Sequence, residues 1–242
     1  MGVDMQKPAI AAAITTALMA AGTTSAVSES NTLSIVQGEP GSPGTGNSIF
    51  VDQSSAAHSE VGGLSILVPG AWRDNWLAIA PYTEAALQLG SNNNADIQVS
   101  GTGGNVVLYQ NNPGTSLGNT ATISLDALHA AGIVGQYGSG NIADVAVSGT
   151  SSVGSALQNG DGNRTSVTVD GWLSSGTVIQ NGDGNDMALS VQGDGTVAKY
   201  VQNGNNLAPA TAMDLGPGIH VGNGGVSVVS NGATVHITQT RF

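Results

Sequence analysis

Gln88, Gln110, Gln136, Gln158, Gln180 and Gln202 are separated by 22, 26, 22, 22 and 22 residues, and the first five are each followed by an asparagine, at Asn93, Asn119, Asn141, Asn163 and Asn185. A side-chain amide carries both a donor and an acceptor, so the chemistry open to such a series is a hydrogen-bonded column, not bond-making. Other reactive groups are sparse. His58, His129, His220 and His236 share no repeat position, and none stands at a metal-ligand spacing such as His-Glu-x-x-His. Asp161 and Asp183 lie in two copies of Asn-Gly-Asp-Gly-Asn, at 159–163 and 181–185. Glycine-aspartate calcium loops recur every nine or so residues, a much shorter period, so these are expected to be turns and no metal or cofactor is expected. Gly101-Thr102-Gly103-Gly104 precedes no helical pattern on which a phosphate would sit. Trp72, Trp76 and Trp172 could offer ring faces to a carbohydrate or partner, but packing on the outside of turns is the expectation. Outside the first 26 residues the only bases are Arg73, Arg164, Lys199 and Arg241, scattered, with no acid/base constellation, so an enzyme is not expected.

The elements that would position these amides follow from the residues between them. Counting from each asparagine, two residues on come Ala95, Ala121, Ala143, Thr165 and Met187; four on come Ile97, Ile123, Val145, Val167 and Leu189; six on come Val99, Leu125, Val147, Val169 and Val191. Polar residues fill the places between, and period-two alternation predicts a strand with one buried face. Two residues before each glutamine stand Ala86, Leu108, Val134, Ala156, Val178 and Tyr200, so the glutamine shares its face with apolar side chains. Asn-Gly and Asp-Gly pairs supply the positive φ that tight reversals need. Each unit is therefore strand, turn, strand, turn, and the one 26-residue spacing comes from a longer turn at 111–118.

A single two-strand unit cannot bury its apolar face, so the predicted fold is all-β: a β-solenoid of stacked strand-turn-strand rungs of about 22 residues, spaced about 4.8 Å apart. Eight rungs and a partial one are expected, with degenerate end rungs at about 31–82 and 203–242. At the N-terminal end Leu33, Ile35 and Gln37, then Asn47, Ile49, Val51 and Gln53, repeat the register across a long Gly/Pro turn at 38–46. Leu64, Ile66, Val68, Asn75, Leu77 and Ile79 read as a further rung, and Asn231, Ala233, Val235 and Ile237 as a second strand.

Composition agrees with burial of small side chains. The 242 residues include 36 Gly and no Cys, with 9% charged, 4% aromatic and 40% hydrophobic residues. Lys7 leads into the apolar run Pro8–Gly22 and then Thr24-Ser25-Ala26, so residues 1–26 read as a cleaved signal peptide and 27–242 as the solenoid. The run is shorter than the roughly 20 residues of a membrane-crossing helix. Cleavage removes Asp4 and Lys7 together, leaving the net charge of −11, which argues against nucleic acid and anionic lipid as partners.

The pattern resembles the curlin family, the subunits of curli amyloid fibres, whose repeat runs Ser, five residues, Gln, four residues, Asn, five residues, Gln. Ser152, Gln158 and Asn163 fit it, as do Ser174, Gln180 and Asn185; Gln136 and Asn141 fit with Ala130 at the Ser position, and Asn47 and Gln53 reproduce the second half. The family's second Gln falls six residues after Asn, where this chain usually has Val or Leu. The resemblance implies export through an outer-membrane channel, a nucleator, self-assembly or co-polymerisation with a related subunit, and a place in extracellular adhesive fibres of a biofilm matrix. The alternative is a capped or cell-anchored adhesin or nucleator that binds a surface, matrix or polysaccharide without forming the main fibre.

Overall fold

From Asn105 to Asn203 the chain alternates strands of six to eight residues with Gly-rich reversals, and every strand lies parallel to the one a full repeat away. The computed structural model describes residues 31–38, 46–62, 86–113, 117–208, 213–216, 219–222 and 225–241. Its strands form two sheets and, among the described residues, no helix occurs. One sheet, the glutamine sheet, stacks Asn105–Asn112, Ala131–Tyr137, Val153–Asn159, Ser175–Asn181, Val197–Asn203 and Thr234–Thr240 in order. The facing sheet stacks Ser48–Ala57, Asn94–Thr102, Thr120–Asp126, Ile142–Val147, Arg164–Asp170, Asp186–Gln192 and Gly225–Val229. The protein is an all-β solenoid of stacked strand-turn-strand rungs.

Register is strict. Val145 pairs with Ile123 on one side and Val167 on the other, and Ala156 with Val134 and Val178. Like positions therefore form columns, and the inward columns Ala95/Ala121/Ala143, Ile97/Ile123/Val145/Val167/Leu189 and Val99/Leu125/Val147/Val169/Val191 are buried in one continuous core. At roughly 1.5–3 kcal/mol per fully buried aliphatic side chain, this term recurs in every rung.

The glutamine sheet is buried on both faces, which the alternation did not predict. Leu87, Val107, Tyr109, Ile133, Leu157 and Ile179 form a second apolar cluster on the face opposite the glutamines. Such strands read as near-continuous apolar runs, as in Val106-Val107-Leu108-Tyr109.

The irregular spacings at the ends are insertions inside strands. Glu60–Val61 and Ala86–Gly90 fill one level of the glutamine sheet together: Gly62 N–H bonds Val106 O, and Ala86 N–H bonds Ser34 O. Residues 63–85 are thus inserted within one strand position. The rung expected at 64–79 lies outside the described residues, and the described strands stack without it, Ile35–Gln37 pairing directly with Ala86–Gly90. At the other end Ala208 keeps its column position, and Gly225 pairs with Ala188 where residue 210 would fall, so 210–224 are inserted. Within them Met213–Gly216 and Ile219–Gly222 run as antiparallel partners against the edge of Gly225–Val229. This shifts the last segment. Thr234–Thr240, expected in the facing sheet, is instead a glutamine-sheet strand with Gln239 level with Gln202. Seven complete rungs and this final strand are described.

Candidate functional site: an amide ladder with two unequal ends

The glutamines lie inside the rung on the same face as Leu108, Val134 and Ala156, and Gln88, Gln110, Gln136, Gln158, Gln180 and Gln202 are all fully buried. Burying an amide costs free energy unless its donors and acceptor find partners. Each Nε2 donates to the Oε1 of the next glutamine: Gln37 to Gln88 at 2.8 Å, Gln88 to Gln110 at 2.7 Å, Gln110 to Gln136 at 2.8 Å, Gln136 to Gln158 at 2.9 Å, Gln158 to Gln180 at 3.0 Å, Gln180 to Gln202 at 2.9 Å and Gln202 to Gln239 at 3.2 Å. The second hydrogen goes to a main-chain carbonyl of the facing sheet, for example Thr120 from Gln136 at 2.9 Å and Ile142 from Gln158 at 2.9 Å. All bonds run in one direction, so the ladder ends on a carbonyl oxygen at Gln37 and on an amide donor at Gln239.

The asparagines bond differently. Their side chains cap main chain, not one another: Asn93 Oδ1 accepts from Asn119 N, Asn119 from Asn141, Asn141 from Asn163, Asn163 from Asn185 and Asn185 from Leu207. Asn119 Nδ2 donates to Gly138 O and Asn141 Nδ2 to Gly160 O, both at 2.8 Å. These asparagines stand at the corners, where main chain of the next rung offers the partners; on a strand Asn181 Nδ2 does bond Asn203 Oδ1, at 2.9 Å. A hydroxyl column does the same at the other corner, Ser152 Oγ accepting from Ser174 N and Ser174 Oγ from Thr196 N.

The Val or Leu six residues after each of these asparagines has a steric reason. Inward positions of the glutamine sheet at that height are Gly132, Gly154 and Gly176. A Cβ on Gly154 would lie 2.7 Å from Val145 Cγ1 and 2.8 Å from Val147 Cγ2, so branched side chains fill the space a second amide column would occupy. Gln53, the one glutamine at that place near the N-terminal end, sits in a bulge: Gln53 and Ser54 together face Val99, between the pairs Asp52–Gln98 and Ser55–Ser100. Asp52 Oδ1 accepts from Ser54 N at 2.9 Å, and bonds from the Ser54 hydroxyl and amide hold its carboxyl below the usual carboxylate range.

The remaining candidates fall in turns. Asp161 Oδ1 accepts from Ser139 N and Asp183 Oδ1 from Asp161 N, both at 2.8 Å, so these carboxylates cap the turn of the preceding rung. Among the described residues no group of three metal-ligating side chains is present. His58 and His129 do share a position, contrary to the sequence reading: both occupy the left-handed turn site, φ 53°, in a column with Gly103, Ser151, Leu173, Gly195 and Gly232. The insertions hide that register in the sequence. His220 and His236 lie on strands, Trp172 is 56% exposed at a turn tip, and Trp72 and Trp76 lie outside the described residues.

Fold and site together define a parallel β-solenoid with a polar internal amide ladder. Compared with family models, curated proteins and solved structures, the chain finds no match.

Proposed function

We propose that the chain is a secreted structural subunit of curli-like extracellular fibres, exported with removal of residues 1–26 and stacked end to end for adhesion in a biofilm matrix. The supporting observation is the directional ladder from Gln37 to Gln239, whose terminal acceptor and terminal donor are complementary. A parallel edge with unpaired backbone and an unpaired amide is a template for a like edge. The partners are then related subunits or copies of the same chain, and the role is structural, not catalytic. Electron microscopy of chain 27–242 diluted from denaturant together with a curlin-type subunit, with fibre diffraction, tests this: incorporation into fibres with a meridional reflection at the strand spacing is expected, and a chain that joins no fibre alone or with a curlin-type subunit refutes it.

A second reading, a capped or cell-anchored adhesin or nucleator, is favoured by Met213–Gly216 and Ile219–Gly222, which lie across the last parallel edge of the facing sheet.

A further inference from the structure

The two ends of the stack differ in shape. Among the described residues, both sheets finish at one level at the N-terminal end, with Thr32–Leu33 and Ile35–Gln37 in one and Ser48–Ala57 in the other. The latter strand has no Pro, Lys or Arg, and its one charged residue, Asp52, is bonded to Ser54 N. At the C-terminal end the sheets finish at different levels. Beyond the rung made by Val197–Asn203 and Gly225–Val229, the glutamine sheet has one more strand, Thr234–Thr240, and the facing sheet has two, Ile219–Gly222 and Met213–Gly216. The step is one strand spacing, about 4.8 Å.

We propose that the inserted segment 210–224 is a built-in stop: the chain joins a stack through its N-terminal end, and the segment prevents a further rung from adding at the other end. This rests on the reading of the protein as a fibre subunit. A flat-ended incoming rung that meets Met213–Gly216 is held one spacing away from Thr234–Thr240. The main chain of that strand then stays unpaired, and so does the second hydrogen of Gln239 Nε2, whose first goes to Ala208 O at 3.0 Å. From Gln88 to Gln202 both hydrogens of each ladder Nε2 are used, as in Gln180, bonded to Gln202 Oε1 and Arg164 O. Met213–Gly216 is also a poor template, four residues long with a register irregularity between Asp214 and Gly216. The partner that fits the flat end is a related solenoid whose last glutamine offers a free amide donor to Gln37 Oε1.

The insertion is removable without disturbing the repeat. Gln202 and Gln239 are 37 residues apart where Gln180 and Gln202 are 22 apart, and excision of 210–224 restores 22. The test compares chain 27–242, the same chain lacking 210–224, and full-length His220→Pro/Val221→Pro, which removes amide donors from the strand against Gly225–Val229. Each is diluted from denaturant and followed by sedimentation and electron microscopy, with circular dichroism reporting the folded stack. Expected are soluble particles or short rods from the parent, and pelletable long fibres from the excised chain and the proline variant. Long fibres formed equally by parent and variants overturn the stop and leave the fibre reading standing. No fibres from any of the three, all folded, overturn the stop, and overturn the fibre reading too when the parent also joins no fibre of a curlin-type subunit.

Discussion

Replacement of Gln158 by Leu tests the ladder where its bonds are best defined. Gln158 Oε1 accepts from Gln136 Nε2 at 2.9 Å, and its own Nε2 donates to Gln180 Oε1 and to Ile142 O. After Gln158→Leu the acceptor side is protected, because Gln180 Oε1 still accepts from Thr165 Oγ1 at 2.6 Å. The donor side is not. Gln136 Nε2 keeps Thr120 O but loses its other partner in a fully buried site. One buried orphan donor costs about 1–3 kcal/mol, and the leucine recovers part of this through burial, so a net loss of about 2 kcal/mol is expected. Direction makes a sharper statement. Gln136→Leu orphans the donor of Gln110, and the double variant orphans that donor alone, since donor and acceptor of the 136–158 bond disappear together. The double variant should therefore cost about as much as either single, with a coupling of about 1–3 kcal/mol. Urea unfolding at a shared slope reads each value. Additive losses, or a Gln158→Leu midpoint equal to the parent's, would show that the ladder does not set stability through its donors.

Three further outcomes follow from the same geometry. Gly154→Ala should destabilise by about 1–3 kcal/mol, measurable by urea unfolding, because the added Cβ meets Val145 and Val147 in a packed core. Leu173→Gly should stabilise by about 1 kcal/mol, read as a raised melting midpoint, since Leu173 is held at φ 54° with its side chain half exposed. Burial raises the Tyr200 phenol above its usual 10.0, and its hydroxyl donates to Gln239 Oε1 at 3.1 Å. The folded chain thus keeps a proton that the unfolded chain releases first, so stability is full below pH 10.0 and declines as pH rises through the folded value. Unfolding midpoints compared across that range should show the decline in the parent and lose this contribution in Tyr200→Phe.

The central rungs were legible because their columns repeat without interruption: Ser152–Gln192 reads as rung, turn and rung, and the pairs Gln158–Gln180 and Asn163–Asn185 fall where the 22-residue spacing puts them. The ends were not. A 22-residue count from Gln202 leads into the inserted segment, so Thr234–Thr240 read as the wrong sheet. Likewise the insertion 63–85 and the bulge at Gln53 concealed that His58 and His129 share a turn position. Periodicity reports position along the chain, and an insertion changes that count while leaving position in the stack unchanged.

The sequence by itself determined the rung, its length and the inward face of the amides, because alternation and turn chemistry are local properties and the ladder repeats them. Only the tertiary structure decided how the amides bond. Position separates the strand glutamines, each of which finds the next Gln, from the corner asparagines, which find main chain, and the ladder's single direction exists only once the rungs are stacked. The structure likewise decided that one column is glycine against valine instead of a second amide, and that the two ends differ. Those outcomes depend on which residues face each other across the core and on where inserted chain folds back, neither of which a one-dimensional spacing records.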